Sequence, residues 1–452
     1  MIPKRLSKLI HSKNIAGTIF ISSFTNLSIM LLTMLHSIIT ARVLGVEGRG
    51  ELAAILFWPM FISGLIGLGL PTSLIYNVKQ GIGNTPVYMK ASLSYLVPAG
   101  IFAGAVAWFL LPVWLGEYSE TAVRLAQMYT VFSIPLTLMT NILSALAKSM
   151  DRFYISNALL LTVPLINAIS LAALSLSGSL NLITATISYL VPTLLTVVIV
   201  GFVLKKHVSN IESASCRADR SVKPLFHYGF KVYGMDLMST LYTQADKIII
   251  VSLLSPRDFG LYSVVFALSR VFNTVQLAIT DVLFPKVSGL QKHDIISIVG
   301  KSFRISMTIM LVLLVPCLII GRFFLLVLFG EEFLEADTTF YILSLECIIG
   351  GGSWILASSF NAIGRPELVL IRQATAIAVN IGLFFVFTPL FGLQGVALAL
   401  MSGSIVRLAI TLVQIPMIFK VRLGALLFNR GDFTDLRNIL KDKTMKRRRM
   451  VS

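Results

Sequence analysis

Lys231, Asp236, Asp246, Lys247, Arg270, Asp281, Glu346 and Arg407 are ionisable side chains set in stretches otherwise apolar enough to cross a bilayer. A charge inside a membrane is costly, so it faces a partner or a hydrated cavity. Arg270, Glu346 and Arg407 fall near the middles of their stretches, too deep to reach an interface along their own side chains. Two arginines at mid-depth suit a phosphate or another anion, because each guanidinium presents paired donors to the oxygens. Asp236, Thr240, Thr243 and Lys247 recur at helical spacing and form a polar stripe, as do Arg270, Thr274 and Asp281. Arg270, Arg407, Lys247 and Asp236, with Arg124 at the outer end of an earlier stretch, are therefore candidates to line a substrate cleft. Glu346, Asp246 and Asp281 are candidates to titrate or to hold a coupling cation, with H+ or Na+ as the driving gradient and no other cofactor. The alternative for the carboxylates is that they neutralise the arginines as ion pairs between helices. Asp246–Lys247, near an outer end, fits a clamp between helices as well as a cleft. The lone His36 is expected to hydrogen-bond a neighbour rather than relay protons.

The elements that must carry these residues are membrane helices. Of 452 residues, 56% are hydrophobic and 13% charged, against roughly 25% charged in soluble domains. Residues 14–41, 52–78, 91–116, 125–147 and 153–204 contain no Lys, Arg, Asp or Glu. A span takes about 20 apolar residues. Spans are predicted at 14–40, 52–78, 88–113, 122–147, 153–176, 181–204, 228–253, 259–285, 303–328, 336–361, 368–390 and 395–419. The fold class is an all-α integral membrane protein with about twelve transmembrane helices. Lys and Arg mark cytoplasmic segments. With both termini inside, the outside segments hold only Arg42, Arg49, Arg257 and Arg322, plus the acidic group Glu331, Glu332, Glu335 and Asp337. Inside segments take nearly all the remaining cations, including Arg365 and Arg372. This accounts for the net charge of +17 without nucleic acid. The tail run KRRRM at 446–450 is expected to rest on anionic membrane lipids. The first apolar run is too long for a cleaved signal and reads as a retained anchor. Cys216, Cys317 and Cys347 suggest neither a disulfide framework nor a metal site.

The chain repeats itself. ARVLGVEGRGELAA (41–54) aligns with VSLLSPRDFGLYSV (251–264), placing Gly50 on Gly260 at an offset of 210. Arg152 aligns with Arg365, and Asn167 with Asn380, at an offset of 213. Six spans per half send both halves into the membrane in the same direction, a transporter arrangement. The expected organisation is an N-terminal lobe (1–204), a cytoplasmic linker (205–226), a C-terminal lobe (227–419) and a basic tail (420–452). The outer loops are too short for the acid/base apparatus of a membrane glycosyltransferase or polymerase, so no enzymatic activity is expected. GGGS at 350–353 lacks the Lys-Ser/Thr of a phosphate loop and reads as close helix packing.

ITARVLGVEGRGELAAILFWPMFISGLIGLGLPTSLIY (39–76) resembles the start of the Wzx-type oligosaccharide flippases of the multidrug/oligosaccharidyl-lipid/polysaccharide exporter superfamily. ADKIIIVSLLSPRDFGLYSVVFALSR (245–270), FNAIGRPELVLI (360–371) and FGLQGVALA (391–399) resemble that family's second repeat. The resemblance implies a V-shaped, MATE-like pair of parallel six-helix lobes with alternating access. It implies a substrate of the undecaprenyl-pyrophosphate type, a lipid-linked oligosaccharide such as an O-antigen unit of lipopolysaccharide. It also implies residence in a bacterial inner membrane and polysaccharide polymerase machinery as a partner. Lipid II flippases carry two further helices and a charged first span, which this chain lacks. A cation-coupled drug exporter is the rival reading, and would call for an acidic, aromatic cavity.

Overall fold

The computed structural model describes residues 15–214, 221–273 and 290–427, and positions 276, 279, 280, 283 and 287 between them. Asp281, Thr274, Cys216 and the basic tail beyond 427 lie outside the described residues. All regular structure among the described residues is helical. That follows from the solvent: in lipid, an open backbone segment must satisfy its polar groups within itself.

Helix α1 (Ile15–Ile66) is 52 residues long, about 78 Å at 1.5 Å per residue. This is more than twice a hydrocarbon core of about 30 Å. It is broken at Gly45, whose φ of 71° and ψ of −175° leave the helical region. Further along come α2 (Leu70–Gln80), α3 (Thr85–Trp114), α4 (Glu120–Ser149), α5 (Phe153–Leu176) and α6 (Leu182–Ala214). The second half holds α7 (Lys223–Leu253), α8 (Pro256–Ser269), α9 (Lys292–Leu328), α10 (Asp337–Ala362) and α11 (Pro366–Phe419), with a final turn α12 (Leu423–Leu427). The 54 residues of α11 break at Gly392, with φ 55° and ψ −132°. Among the described residues eight helices are long and apolar enough to cross a membrane, and both broken helices are among them.

Several boundaries differ from expectation for local reasons. The loops expected around 42–51 and 391–394 are helical except near single glycines. The span expected at 52–78 is interrupted at 67–69, where Leu68 and Gly69 take positive φ, and Pro71 sits in the first turn of α2. The span expected at 259–285 is interrupted at Arg270, a turn residue directly after α8.

The repeat is visible in the backbone. At the turn into α5, Met150 N–H donates to Leu146 O (3.2 Å), Asp151 to Lys148 O (3.1 Å), Arg152 to Ala147 O (2.8 Å) and Ile155 to Arg152 O (3.0 Å). At the turn into α11, Ile363 donates to Ser359 O (3.2 Å), Gly364 to Asn361 O (3.1 Å), Arg365 to Phe360 O (3.0 Å) and Leu368 to Arg365 O (3.3 Å). Every one of these residues is related by the same offset. Asp151 (φ 58°) and Gly364 (φ 72°) are the matched left-handed positions.

The chain condenses into two compact units: Met1–Leu268 with Phe323–Thr339 and Val386–Val396, and Ser269–Arg322 with Phe340–Phe385 and Ala397–Ser452. The first has a core of Leu70, Leu74, Leu96, Ile142, Leu146 and Leu159. Within it the repeat-related glycines meet. A Cβ on Gly50 would overlap the Pro256 carbonyl, and a Cβ on Gly260 would overlap the Val46 carbonyl. Val46 and Pro256 are themselves related by the offset of 210, so the contact is reciprocal. In the second unit Val299, Phe303, Ile355, Phe360 and Ile415 form the core.

Candidate functional site

In the second unit, Glu346 lies mid-way along α10 and Arg407 in the second segment of α11, while Arg270 stands at the turn after α8. These three mid-depth charges converge. Arg270 Nη1 donates to Glu346 Oε2 at 3.1 Å. Ser404 Oγ donates to Glu346 Oε1 at 2.7 Å, and Arg407 Nη2 donates to Ser404 Oγ at 2.7 Å. Arg407 Nη2 and Glu346 Oε1 are 3.8 Å apart. One carboxylate thus bridges two guanidiniums, and the group carries a net positive charge. Burial is uneven: the side chains of Glu346 and Arg407 are 5% and 2% exposed, that of Arg270 27%. Gly350, one turn beyond Glu346, supplies the space. A Cβ there would lie 3.2–3.3 Å from Arg407 Nη2, Glu346 Oε1 and Ser404 Oγ. The close packing read from GGGS therefore serves this side-chain network. Cys347 sits beside it, accepting from Arg270 Nη1 at 3.3 Å. Phe272, Met310, Leu314 and Ile348 form an adjoining apolar wall.

The network continues through Arg372, a cation expected on the cytoplasmic side near the start of the span predicted at 368–390. Arg372 is fully buried in the first segment of α11. Its Nη1 donates to Ser353 Oγ at 2.7 Å, the Ser353 carbonyl at 3.0 Å and Thr411 Oγ1 at 3.2 Å. Trp354 stacks on the guanidinium, 5.4 Å from ring centre to Cζ. Thr411 in turn donates to the Arg407 carbonyl at 2.6 Å. The available signal was spacing: Ser404 and Thr411 fall three before and four after Arg407, on one helix face.

The remaining candidates lie in the first unit. Asp246 is buried and accepts from Tyr262 Oη at 2.5 Å and from Lys247 Nζ at 3.3 Å. Lys247 also donates to the Thr243 carbonyl at 3.1 Å and lies 4.5 Å from the Phe266 ring centre. These contacts join α7 to α8. Asp236 is half-buried in α7, and its carbonyl accepts from Thr240 Oγ1 at 2.9 Å. The polar stripe is partly spent on packing, since Thr240 faces Gly64 closely enough to exclude a Cβ there. Arg124 is exposed near the start of α4 and pairs with Glu120 one turn away at 2.6 Å. His36 Nε2 hydrogen-bonds the Pro164 carbonyl at 2.9 Å, as expected for a packed histidine.

Comparison with known proteins bears on this geometry. A family model described as "Polysaccharide biosynthesis protein" matches residues 39–338. A Haloferax volcanii protein named "probable low-salt glycan biosynthesis flippase" is 24% identical over 207 residues, which is 45% of this chain and 43% of that relative. The match spans less than half the length of that protein. Among solved structures, a lipid II flippase MurJ in an inward closed conformation aligns with a TM-score of 0.72 at 15% identity, covering 93% of this chain and 96% of that one. An inward-facing multidrug resistance MATE family transporter of the MOP superfamily aligns with a TM-score of 0.69 at 13% identity, covering 89% and 98%. The multi-pass helical fold of this chain is the one those transporters share.

Proposed function

The chain belongs to the polysaccharide biosynthesis protein family, and from that premise we propose that it is a flippase for lipid-linked oligosaccharide. It moves a polyprenyl-pyrophosphate-linked glycan from the cytoplasmic to the outer leaflet of a bacterial inner membrane, for surface polysaccharide synthesis. The observation that carries this reading is the buried Arg270–Glu346–Arg407 group in a membrane-embedded helical unit. A pyrophosphate crossing the hydrocarbon needs fixed cations at depth, because an unpaired anion there is prohibitively costly. Guanidiniums answer that need with paired donors. The lipid tail stays in the bilayer while the head crosses by alternating access of two six-helix lobes, 1–204 and 227–419. Both termini face the cytoplasm, an H+ or Na+ gradient resets the cycle, and polymerase machinery receives the product. The orientation and the two lobes rest on the charge distribution and the internal repeat, the coupling ion on the carboxylates within the spans, and the polymerase partner on the family resemblance alone.

The rival, a cation-coupled drug exporter, draws support from the likeness to the MATE transporter. A net positive buried group repels organic cations, which favours the glycan reading. The deciding experiment is the sidedness of lipid-linked oligosaccharide in a strain lacking the gene. Accumulation on the cytoplasmic face with loss of surface polysaccharide is the expected result. An unchanged pool with altered drug sensitivity would replace this reading with efflux.

A further inference from the structure

We propose that Glu346 is a built-in stand-in for the substrate's phosphate: it holds Arg270 when no anion is bound, and must release it for an anion to bind. The inference rests on the flippase reading and adds a regulatory part to its site. The carboxylate divides its oxygens. Oε1 is tied to the closed side, accepting from Ser404 at 2.7 Å and facing Arg407 at 3.8 Å. Oε2 is directed at Arg270 (3.1 Å), the more accessible of the two guanidiniums, with Cys347 Sγ at 3.7 Å. An anion arriving from the accessible side therefore meets Arg270 first and competes with Oε2 for the same donors. Arg407 and Ser404 keep Oε1 in place during the exchange, so Glu346 retains a buried counter-charge and is not stranded. Arg270 stands at a turn rather than inside a continuous helix, which suits a side chain that changes partners. The ligand chemistry is a phosphate-bearing anion, the pyrophosphate of a polyprenyl carrier under the flippase reading.

The test uses the full chain in phosphatidylcholine nanodiscs, titrated with farnesyl pyrophosphate and, separately, with inorganic pyrophosphate. Glu346→Gln keeps the shape and removes the competing charge. It is expected to bind farnesyl pyrophosphate about tenfold tighter or more than the parent, within the usual range of coupling between two ligands. The gain should vanish in the Glu346→Gln/Arg270→Ala double variant, because Arg270 is the contested group. Ser404→Ala removes the closed-side anchor of Oε1 and leaves the carboxylate to Arg270, so it should bind farnesyl pyrophosphate more weakly than the parent, and it serves if Glu346→Gln does not fold; tighter binding by folded Ser404→Ala counts against the stand-in role. Folded Glu346→Gln with unchanged or weaker affinity overturns the stand-in role alone, as does a gain that survives loss of Arg270. Failure of parent and variants alike to bind either pyrophosphate overturns the flippase reading with it. Tighter binding of the farnesyl compound than of inorganic pyrophosphate assigns the anion to a lipid carrier; the reverse order assigns it to a soluble phosphate.

Discussion

At the scale of single residues, Arg407 and Glu346 are buried charges that face one another at 3.8 Å. Removing one partner of a buried ion pair strands the other, a loss of about 3–5 kcal/mol. Arg407→Ala is therefore expected to lower the thermal midpoint measurably and to abolish complementation of surface polysaccharide, with protein still present in the membrane. Arg270→Ala, at a more accessible position, should abolish transport with a smaller loss of stability. Normal transport by both variants, read by complementation, would exclude a cationic site. If Glu346 also couples transport to an ion gradient, Glu346→Gln will change the sodium or pH dependence of flipping in proteoliposomes; an unaltered dependence removes it from coupling. Asp246, held by Tyr262 and Lys247, belongs to a different class. Asp246→Asn is expected to reduce stability with little change in transport per folded molecule, measured by normalising flipping to the folded fraction.

Among the elements, the repeat makes unusually direct predictions. Gly50 and Gly260 bring two helices into backbone contact, so Gly50→Ala has no space and should sharply reduce folded protein in membranes. Gly364 is different: its φ of 72° is left-handed, but nothing lies within 4 Å of where a Cβ would be. Asparagine tolerates that conformation, and the related position already carries Asp151. Gly364→Asn should therefore keep a near-parental thermal midpoint in fluorescence size exclusion, whereas Gly364→Val should not. The asymmetry between repeats is equally informative. Positions equivalent to Arg270, Glu346, Arg372 and Arg407 are Met60, Ser133, Leu159 and Leu194. One scaffold was used twice, and the charged network was placed on one copy.

For the molecule as a whole, the orientation proposed from loop charge can be tested directly. With both termini cytoplasmic, a cysteine replacing Lys206 should resist membrane-impermeant maleimide added outside, while one replacing Glu332 should react. The opposite labelling pattern would invert the topology. On the Glu332 side, Arg257 pairs with Glu335 at 2.7 Å, a bond that raises the already high pKa of the guanidinium. Nearby, Arg42 donates to the Leu328 carbonyl at 3.0 Å and also to that of Val327.

The amino-acid sequence by itself determined that this is a multi-pass helical membrane protein built from a repeat. Those properties follow from composition, from runs matched to bilayer thickness, and from a regular offset, all one-dimensional quantities. It also marked Arg270, Glu346 and Arg407, because a charge inside an apolar run is conspicuous without any fold. Only the tertiary structure decided that the three form one group around a shared carboxylate. Partners 76 and 61 residues from Glu346 meet through helix packing, which periodicity does not encode. The fate of Arg372 shows the limit most plainly. Near a predicted span end a cation reads as cytoplasmic, and its full burial depends on Ser353, Trp354 and Thr411 arriving from other turns and helices. The break at Gly69 was hidden for a related reason: a glycine within an apolar run fits a continuous span as well as a kink, and packing selects between them. At Gly45 and Gly392 a separation was legible as a loop, and only the structure showed it shrink to a single non-helical glycine.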